Sequence, residues 1–109
     1  MAYDERLAER IREALAGRDG VVEKKMFGGL AFMLNGNMCV GVIKDELIAR
    51  LGPEGGDQAL DQRHTRPMDF TGRPMAGWVI VEKEGIPTDE ELQEWVDRAV
   101  GYVSALPAK

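Results

Sequence analysis

The stretch Met26–Leu51, MFGGLAFMLNGNMCVGVIKDELIARL, decides the fold of this 109-residue chain. It contains Asn35-Gly36 between two apolar runs, and this dipeptide is typical of a two-residue hairpin turn because both residues tolerate positive φ. Lys44-Asp45 stands between two further strand-like runs and predicts a second tight turn. The stretch is therefore expected to form three antiparallel strands joined by two hairpins.

Two-residue loops at both turns fix which residues face each other across the strands. The predicted facing pairs are Met33–Met38, Ala31–Val40, Val42–Leu47 and Val40–Ala49. Because side chains alternate between the faces of a strand, these residues and Leu51 are expected on one wholly apolar face. The second face is then predicted to carry Leu30, Phe32, Leu34, Asn37, Cys39, Gly41, Ile43, Glu46, Ile48 and Arg50.

Apolar spacing predicts three helices outside this stretch. The first begins at Tyr3 or Asp4 and repeats apolar residues at helical spacing. A short second helix is expected from Pro53 through Asp61, because proline suits the first turn of a helix. The third begins after Thr88, which forms a capping box with Glu91.

Further strands are predicted at Val21–Met26 and within Met75–Lys83, with a loop-to-strand passage over Arg63–Pro74. The adjacent glycines Gly28-Gly29 indicate a bulge or a sharp bend after the first strand. The element order is α-β-β-β-β-α-β-β-α. This order predicts one two-layer α+β domain over residues 1–109, with a mostly antiparallel sheet of five to six strands and helices on its apolar face.

Composition excludes several classes of function. Lys and Arg total 14 against 19 Asp and Glu, and the net charge of −5 disfavours direct binding to the phosphate backbone of DNA. No segment approaches the roughly 20 apolar residues of a membrane span, so no membrane association is expected. The charged start MAYDERLAER is unlike a signal peptide, and a single cysteine gives no disulfide framework. A cytoplasmic protein is therefore predicted.

Few side chains are candidates for catalysis or ligand binding. Cys39 lies in mid-strand and is interpreted as buried filler, and the methionines are interpreted as core filling. His64 is the single histidine, so neither a metal site nor a cofactor site is predicted. Basic residues around it could converge on an anion, although separate solvated charges are the favoured interpretation. The candidate anion contacts are Arg63, His64, Arg66 and Arg73.

The apolar residues of the second face point to an interface. Three helices in a small chain are not expected to cover both sides of a sheet, and an exposed apolar patch marks a partner or a groove. The candidate interface residues are Leu30, Phe32, Ile43 and Ile48. A homodimer that buries this face, or that joins edge strands, explains them most simply. The alternatives are a different register or a helix that crosses to that side.

Several motifs resemble the N-terminal domain of the TfoX/Sxy competence regulators. They are Met26-Phe27-Gly28-Gly29 preceded by Lys25, then Phe32-Met33, Asn35-Gly36, Asp45-Glu46-Leu47, Phe70 and Gly72. The passage RPMDFTGRP, followed by Gly77-Trp78, is similar to stand-alone single-domain members. The resemblance implies an α+β fold and a bacterial, cytoplasmic regulatory protein without catalytic residues. It also implies a protein partner in transcription regulation, since full-length members are similar to coactivators of DNA-uptake genes.

The sequence thus favours a non-catalytic regulatory or protein-interaction domain. The alternative is a small anionic-ligand binder or an enzyme that uses the loop Arg63–Arg73.

Overall fold

The computed structural model of the chain describes residues 3–26, 28–68 and 75–108. Within these residues, three helices and six strands follow one another in the predicted order, with one short 3-10 turn added before the last helix. The elements are α1 (Glu5–Ala14), β1 (Val21–Met26), β2 (Gly29–Leu34), β3 (Asn37–Ile43), β4 (Glu46–Arg50), α2 (Gly52–Leu60), β5 (Thr65–Pro67), β6 (Trp78–Val81), the 3-10 turn (Lys83–Gly85) and α3 (Asp89–Val103).

The strands form one antiparallel sheet in the order β1-β2-β3-β4-β6-β5. Each of the first three strands pairs with the next through a tight turn, whereas β4 pairs with β6, and β5 joins the outer edge of β6. This arrangement confirms the predicted α+β class and the predicted mostly antiparallel sheet of five to six strands.

The starts of α1 and α3 follow from side-chain caps. The Asp4 carboxylate accepts hydrogen bonds from the backbone N–H of Arg6 (2.8 Å) and of Leu7 (3.3 Å), which satisfies two donors that the first turn leaves free. At α3 the Thr88 hydroxyl accepts from the backbone N–H of Glu91 at 3.2 Å, as the capping box predicts.

The hairpin turns have the backbone that the sequence predicts. Asn35 and Gly36 have φ of 52° and 86°, as a type I′ turn requires. Lys44 has φ of 52° at the second turn, where Ile43 faces Glu46. Gly28 has φ of 75° between the facing residues at the ends of β1 and β2, so the predicted bend is a tight hairpin.

One predicted facing pair is wrong, and the reason is a β-bulge in β3. Met33 faces Met38 as predicted, but Val40 faces Phe32 rather than Ala31. β3 therefore has one residue more than β2 between these pairs, and Cys39 is the extra residue. The predicted pairs of the second hairpin, Val42–Leu47 and Val40–Ala49, are confirmed.

The bulge changes which face each β2 side chain occupies. Since side chains alternate, one extra residue reverses β2 relative to Val40. Residues predicted on the second face lie instead under the helices: Leu30, Phe32, Leu34 and Cys39. Residues predicted on the helix side lie on the opposite face: Ala31, Met33 and Met38. Val40 and Leu47 share the helix-covered face, as predicted.

The main core lies between the sheet and the three helices. Buried side chains of all three helices, among them Ile11, Ala59 and Val96, pack against Phe32 and its neighbours on this face. Apolar burial of this kind contributes most of the stability of a small domain. The other face of the sheet has a separate, smaller apolar cluster.

Candidate interaction surface

The face of the sheet turned away from the helices is rich in methionine. All five methionines within the described residues belong to its apolar cluster, which we call the methionine face. Its members are Met26, Ala31, Met33, Met38, Ile43, Ile48, Met68, Met75, Trp78 and Ile80. Strand alternation and the bulge at Cys39 together bring the β2 and β3 methionines to this side.

The methionine face is partly covered and partly open. Its centre is buried, since Ala31 and Ile48 are fully inaccessible. Met68 and Met75 also pack here, joined by a hydrogen bond of 2.8 Å from the Met75 N–H to the Met68 carbonyl. The rim is only half-buried at Met26, Met33, Ile43, Met75 and Trp78. A flexible, polarizable rim of this kind adapts to the shape of another surface.

An ion-pair group borders the methionine face. Arg66 of β5 donates to both carboxylate oxygens of Glu46 at 2.5 and 2.6 Å and to Glu82 at 3.3 Å. The hydrogen bonds from Arg66 lower the pKa of Glu46, and those to Glu46 raise the pKa of Arg66. Charges at the border of an apolar surface are typical of a polar interface rim.

The predicted anion contacts stay a prediction, and the structure shows a competing role for one of them. Arg66 bonds to the carboxylates of Glu46 and Glu82. Arg63 and His64 are exposed, and Arg73 lies outside the described residues. Arg66 is a structural ion-pair partner of the sheet, and the interpretation of separate charges fits this loop better.

The four candidate interface residues have separate outcomes. Leu30 and Phe32 are 4% and 1% exposed beneath the helices, so their placement on the second face is wrong. The extra residue Cys39 is the physical reason, because it reverses β2. Ile48 does lie on the predicted face but is buried within it. Ile43 lies there too and is half-buried.

Cys39 is a buried thiol with little nucleophilic character. It is 1% exposed, and burial raises its pKa to about 11 despite the opposing effect of Arg18 and Arg50. A raised pKa leaves the thiol protonated near neutral pH, and the thiolate is the reactive form.

Within residues 3–26, 28–68 and 75–108, no group of three or more His, Cys, Asp or Glu side chains is placed to hold a metal ion. None of the helices described is both long and apolar enough to cross a membrane.

The glycines of the predicted motif have structural roles in the hairpins. A Cβ atom on Gly29 would lie 2.2 Å from the Val42 carbonyl oxygen, so the close approach of two strands requires glycine there. Gly28 and Gly36 supply positive φ, and Asn35 tolerates it. Met26 belongs to the methionine face, and Phe27 lies outside the described residues.

Sequence reasoning did not find the contribution of later segments to the methionine face. Met68, Met75 and Trp78 reach it from β5, β6 and their surroundings. The Arg50 guanidinium stacks 5.1 Å from the Trp78 ring centroid and 5.9 Å from that of Tyr102. The continuous apolar run of β6, Trp78–Val81, was a usable signal of a strand buried on both faces, but the order β4-β6-β5 was needed to place it.

Fold and surface together define a small two-layer α+β domain with one helix-covered face and one methionine-rich face. The model of the TfoX N-terminal domain family matches residues 13–102, and the chain belongs to this family. No curated protein matches the chain.

Proposed function

We propose that the chain is a non-catalytic regulatory domain that forms a homodimer. We propose also that it binds a protein partner, and that the methionine face is the surface that contacts this partner. The observation that carries the proposal is the concentration of methionines on the face opposite the helices, with a half-buried rim. Unbranched thioether side chains can repack against different surfaces, which suits a recognition surface better than a rigid core.

Charge and thiol chemistry support this choice over enzyme or DNA-binding functions. A chain with a net charge of −5 gains little from contact with a polyanion. The buried, protonated Cys39 is poorly suited to nucleophilic attack. The arginine at the centre of the proposed anion loop, Arg66, is engaged by Glu46 and Glu82.

Membership of the TfoX N-terminal domain family fits a regulatory role. We extend the proposal to a bacterial cytoplasmic setting and to a partner that takes part in transcription regulation. The acidic surface then implies that any influence on DNA passes through that partner rather than through direct contact.

A matched pair of variants tests the recognition surface. Met33→Glu places a charge on the half-buried rim, whereas Leu60→Glu places the same charge on α2, where Leu60 is 38% exposed. We expect immobilised wild type and Leu60→Glu to retain one polypeptide from extracts of the source cells. Met33→Glu should lose that polypeptide while circular dichroism shows an intact fold. Equal retention by all three proteins, or by none, contradicts the proposal.

The homodimer is tested separately by sedimentation equilibrium of the wild type. We expect a mass that rises with concentration from that of the 12.1 kDa chain towards twice this value. A constant monomer mass up to several hundred micromolar contradicts self-association.

A further inference from the structure

β1 is an edge strand with an open side. Among the described residues it pairs with β2 alone, and four of its six residues are exposed. Val22 is 61% exposed, which is more than any other large hydrophobic side chain in the described part of the chain. A long edge of this kind presents unpaired backbone groups that can template a further strand.

The direction of the open hydrogen-bonding groups follows from the start of the β1–β2 ladder. The Asn35 N–H donates to the Gly20 carbonyl at 3.0 Å, one step before Val21 faces Leu34. In an antiparallel ladder, every second residue directs its N–H and C=O groups to the same neighbour. Residues 22, 24 and 26 therefore bond towards β2, and Val21, Glu23 and Lys25 direct their backbone groups to the open side.

The side chains of β1 are sorted onto the two faces of the sheet. Glu23 lies on the helix side, where Arg12 of α1 donates to its carboxylate at 2.6 and 2.8 Å. Val22 faces Met33 and lies on the methionine side. By alternation, Lys25 shares the face of Glu23, and Met26 shares the face of Val22.

We propose that two copies of the chain pair antiparallel through their β1 edges, with Glu23 opposite the partner's Lys25. This inference rests on the homodimer proposed above and specifies its interface and register. A two-fold axis perpendicular to the sheet keeps the helices of both copies on one side. The two sheets then continue as one, and the two methionine faces lie side by side.

Charge complementarity favours a second copy as the occupant of this edge. The register forms two Glu23–Lys25 pairs on the helix side and two Val22–Met26 pairs on the methionine side, all between strands of identical sequence. Opposite charges and apolar side chains that face each other across strands stabilise a sheet.

Neighbouring registers are less favourable. A one-residue slip sets open backbone groups of one strand against the inward groups of the other. A two-residue slip sets Glu23 opposite the partner's Glu23 or Lys25 opposite the partner's Lys25, within a hydrogen-bonded pair. The proposed register has a single like-charge contact, between Lys24 and the partner's Lys24 on the axis. Lys24 is exposed, and this contact limits the affinity of the dimer.

Charge reversal tests both the edge and the register. Lys25→Glu leaves the Arg12–Glu23 pair in place but sets two carboxylates opposite each other at two positions of the dimer. We expect the dissociation constant, measured by sedimentation equilibrium, to rise at least roughly tenfold. Glu23→Lys should dissociate similarly. An equimolar mixture of the two variants should associate, because every facing pair is again of opposite charge.

Lys24→Thr provides the matched control on the same strand. Removal of the contact on the axis should lower the dissociation constant roughly two- to fivefold, whereas a register shifted by two residues predicts no such gain. Thermal melts show whether each variant is folded, and Lys25→Glu alone decides the result if Glu23→Lys unfolds.

A wild-type monomer contradicts both the homodimer and this interface. A dimer that Lys25→Glu and the mixture leave unchanged overturns the interface and register alone, and it points to self-association through another surface. If Lys25→Glu abolishes the binding of a peptide from another protein and leaves the dimer unchanged, the edge is a site for a different strand. That result also overturns the inference.

Discussion

Arg66 and Glu46 form a two-point ion pair across an intervening strand. The guanidinium of Arg66 on β5 reaches over β6 and donates to both carboxylate oxygens of Glu46 on β4. The Glu46 side chain is 16% exposed, which shields the pair from part of the solvent screening that weakens surface pairs. The pair ties the outermost strand to the centre of the sheet.

This pair gives acid stability a predictable direction. Because Arg66 lowers the pKa of Glu46 in the folded state, the pair stabilises the fold above the pKa of an unfolded glutamate, about 4.3. This contribution is lost as the pH falls through the lower, folded value. We expect urea denaturation of wild type between pH 7 and pH 3 to show a steeper acid loss of stability than Glu46→Gln. Parallel curves of stability against pH would show that the pair does not contribute to the loss of stability in acid.

A double-mutant cycle measures the same pair at neutral pH. Glu46→Gln and Arg66→Ala are each expected to lower the free energy of unfolding, and their combination should cost less than their sum. The coupling energy should be roughly 1 kcal/mol, because the Arg66 side chain of the pair remains partly exposed to solvent. Additive effects would mean that Arg66 acts through packing rather than through charge.

Neighbouring residues of β2 should respond very differently to truncation. Phe32 is 1% exposed beneath the helices, so Phe32→Ala is expected to cost about 3–5 kcal/mol in urea denaturation. Met33 is half-buried on the opposite face, so Met33→Ala should cost about 1 kcal/mol. The reverse order of the two effects would contradict the bulge at Cys39 and restore the simple register.

Substitutions at two glycines distinguish the effect of a close contact from the effect of backbone strain. Gly29→Ala would place a Cβ atom 2.2 Å from a carbonyl oxygen of β3, and the backbone there cannot move without breaking the ladder. At Gly17 the backbone has a positive φ of 85° and the space around it is open, so Gly17→Ala meets backbone strain but no clash. This strain should lower the free energy of unfolding by about 1 kcal/mol. We expect Gly29→Ala to lower the free energy of unfolding by at least twice as much, and equal losses would contradict the close approach of β2 and β3.

Cys39 should be protected from thiol reagents in the folded protein. A pKa of about 11 reduces the thiolate fraction at pH 8 by about a hundredfold relative to a free thiol near 8.5–9, and burial blocks access in addition. Native protein should therefore label with an aromatic disulfide reagent at least a hundredfold more slowly than protein in guanidinium. Rapid labelling of native protein would show that the bulge opens to solvent.

Local signals in the sequence were sufficient for most of the fold. The Asn35-Gly36 turn, the Thr88 cap and the apolar spacing of the helices each depend on contacts within a few residues, and the element order built on them is confirmed. The bulge could not be predicted in this way. Met38, Cys39 and Val40 are consecutive apolar residues, so the strand has no polar residue to reveal where alternation breaks.

The candidate surface was predicted only in part. Ile43 and Ile48 were placed on the correct face because their register depends on the second hairpin, which is regular. Leu30 and Phe32 were misplaced because their register passes through the bulge. Met68 and Met75 could not be placed, since their position depends on long-range pairing of β6 with β4 rather than on nearby sequence.

The extra residue at Cys39 has a genetic consequence. Loss of the codon for this residue would leave the turns of both hairpins intact. It would nevertheless exchange the side chains of an entire strand between the helix-covered face and the methionine face. Deletions between positions 37 and 41 should therefore be purged from a library of in-frame variants. Deletions between positions 17 and 20, where the chain runs outside any strand or helix, should survive in the same library.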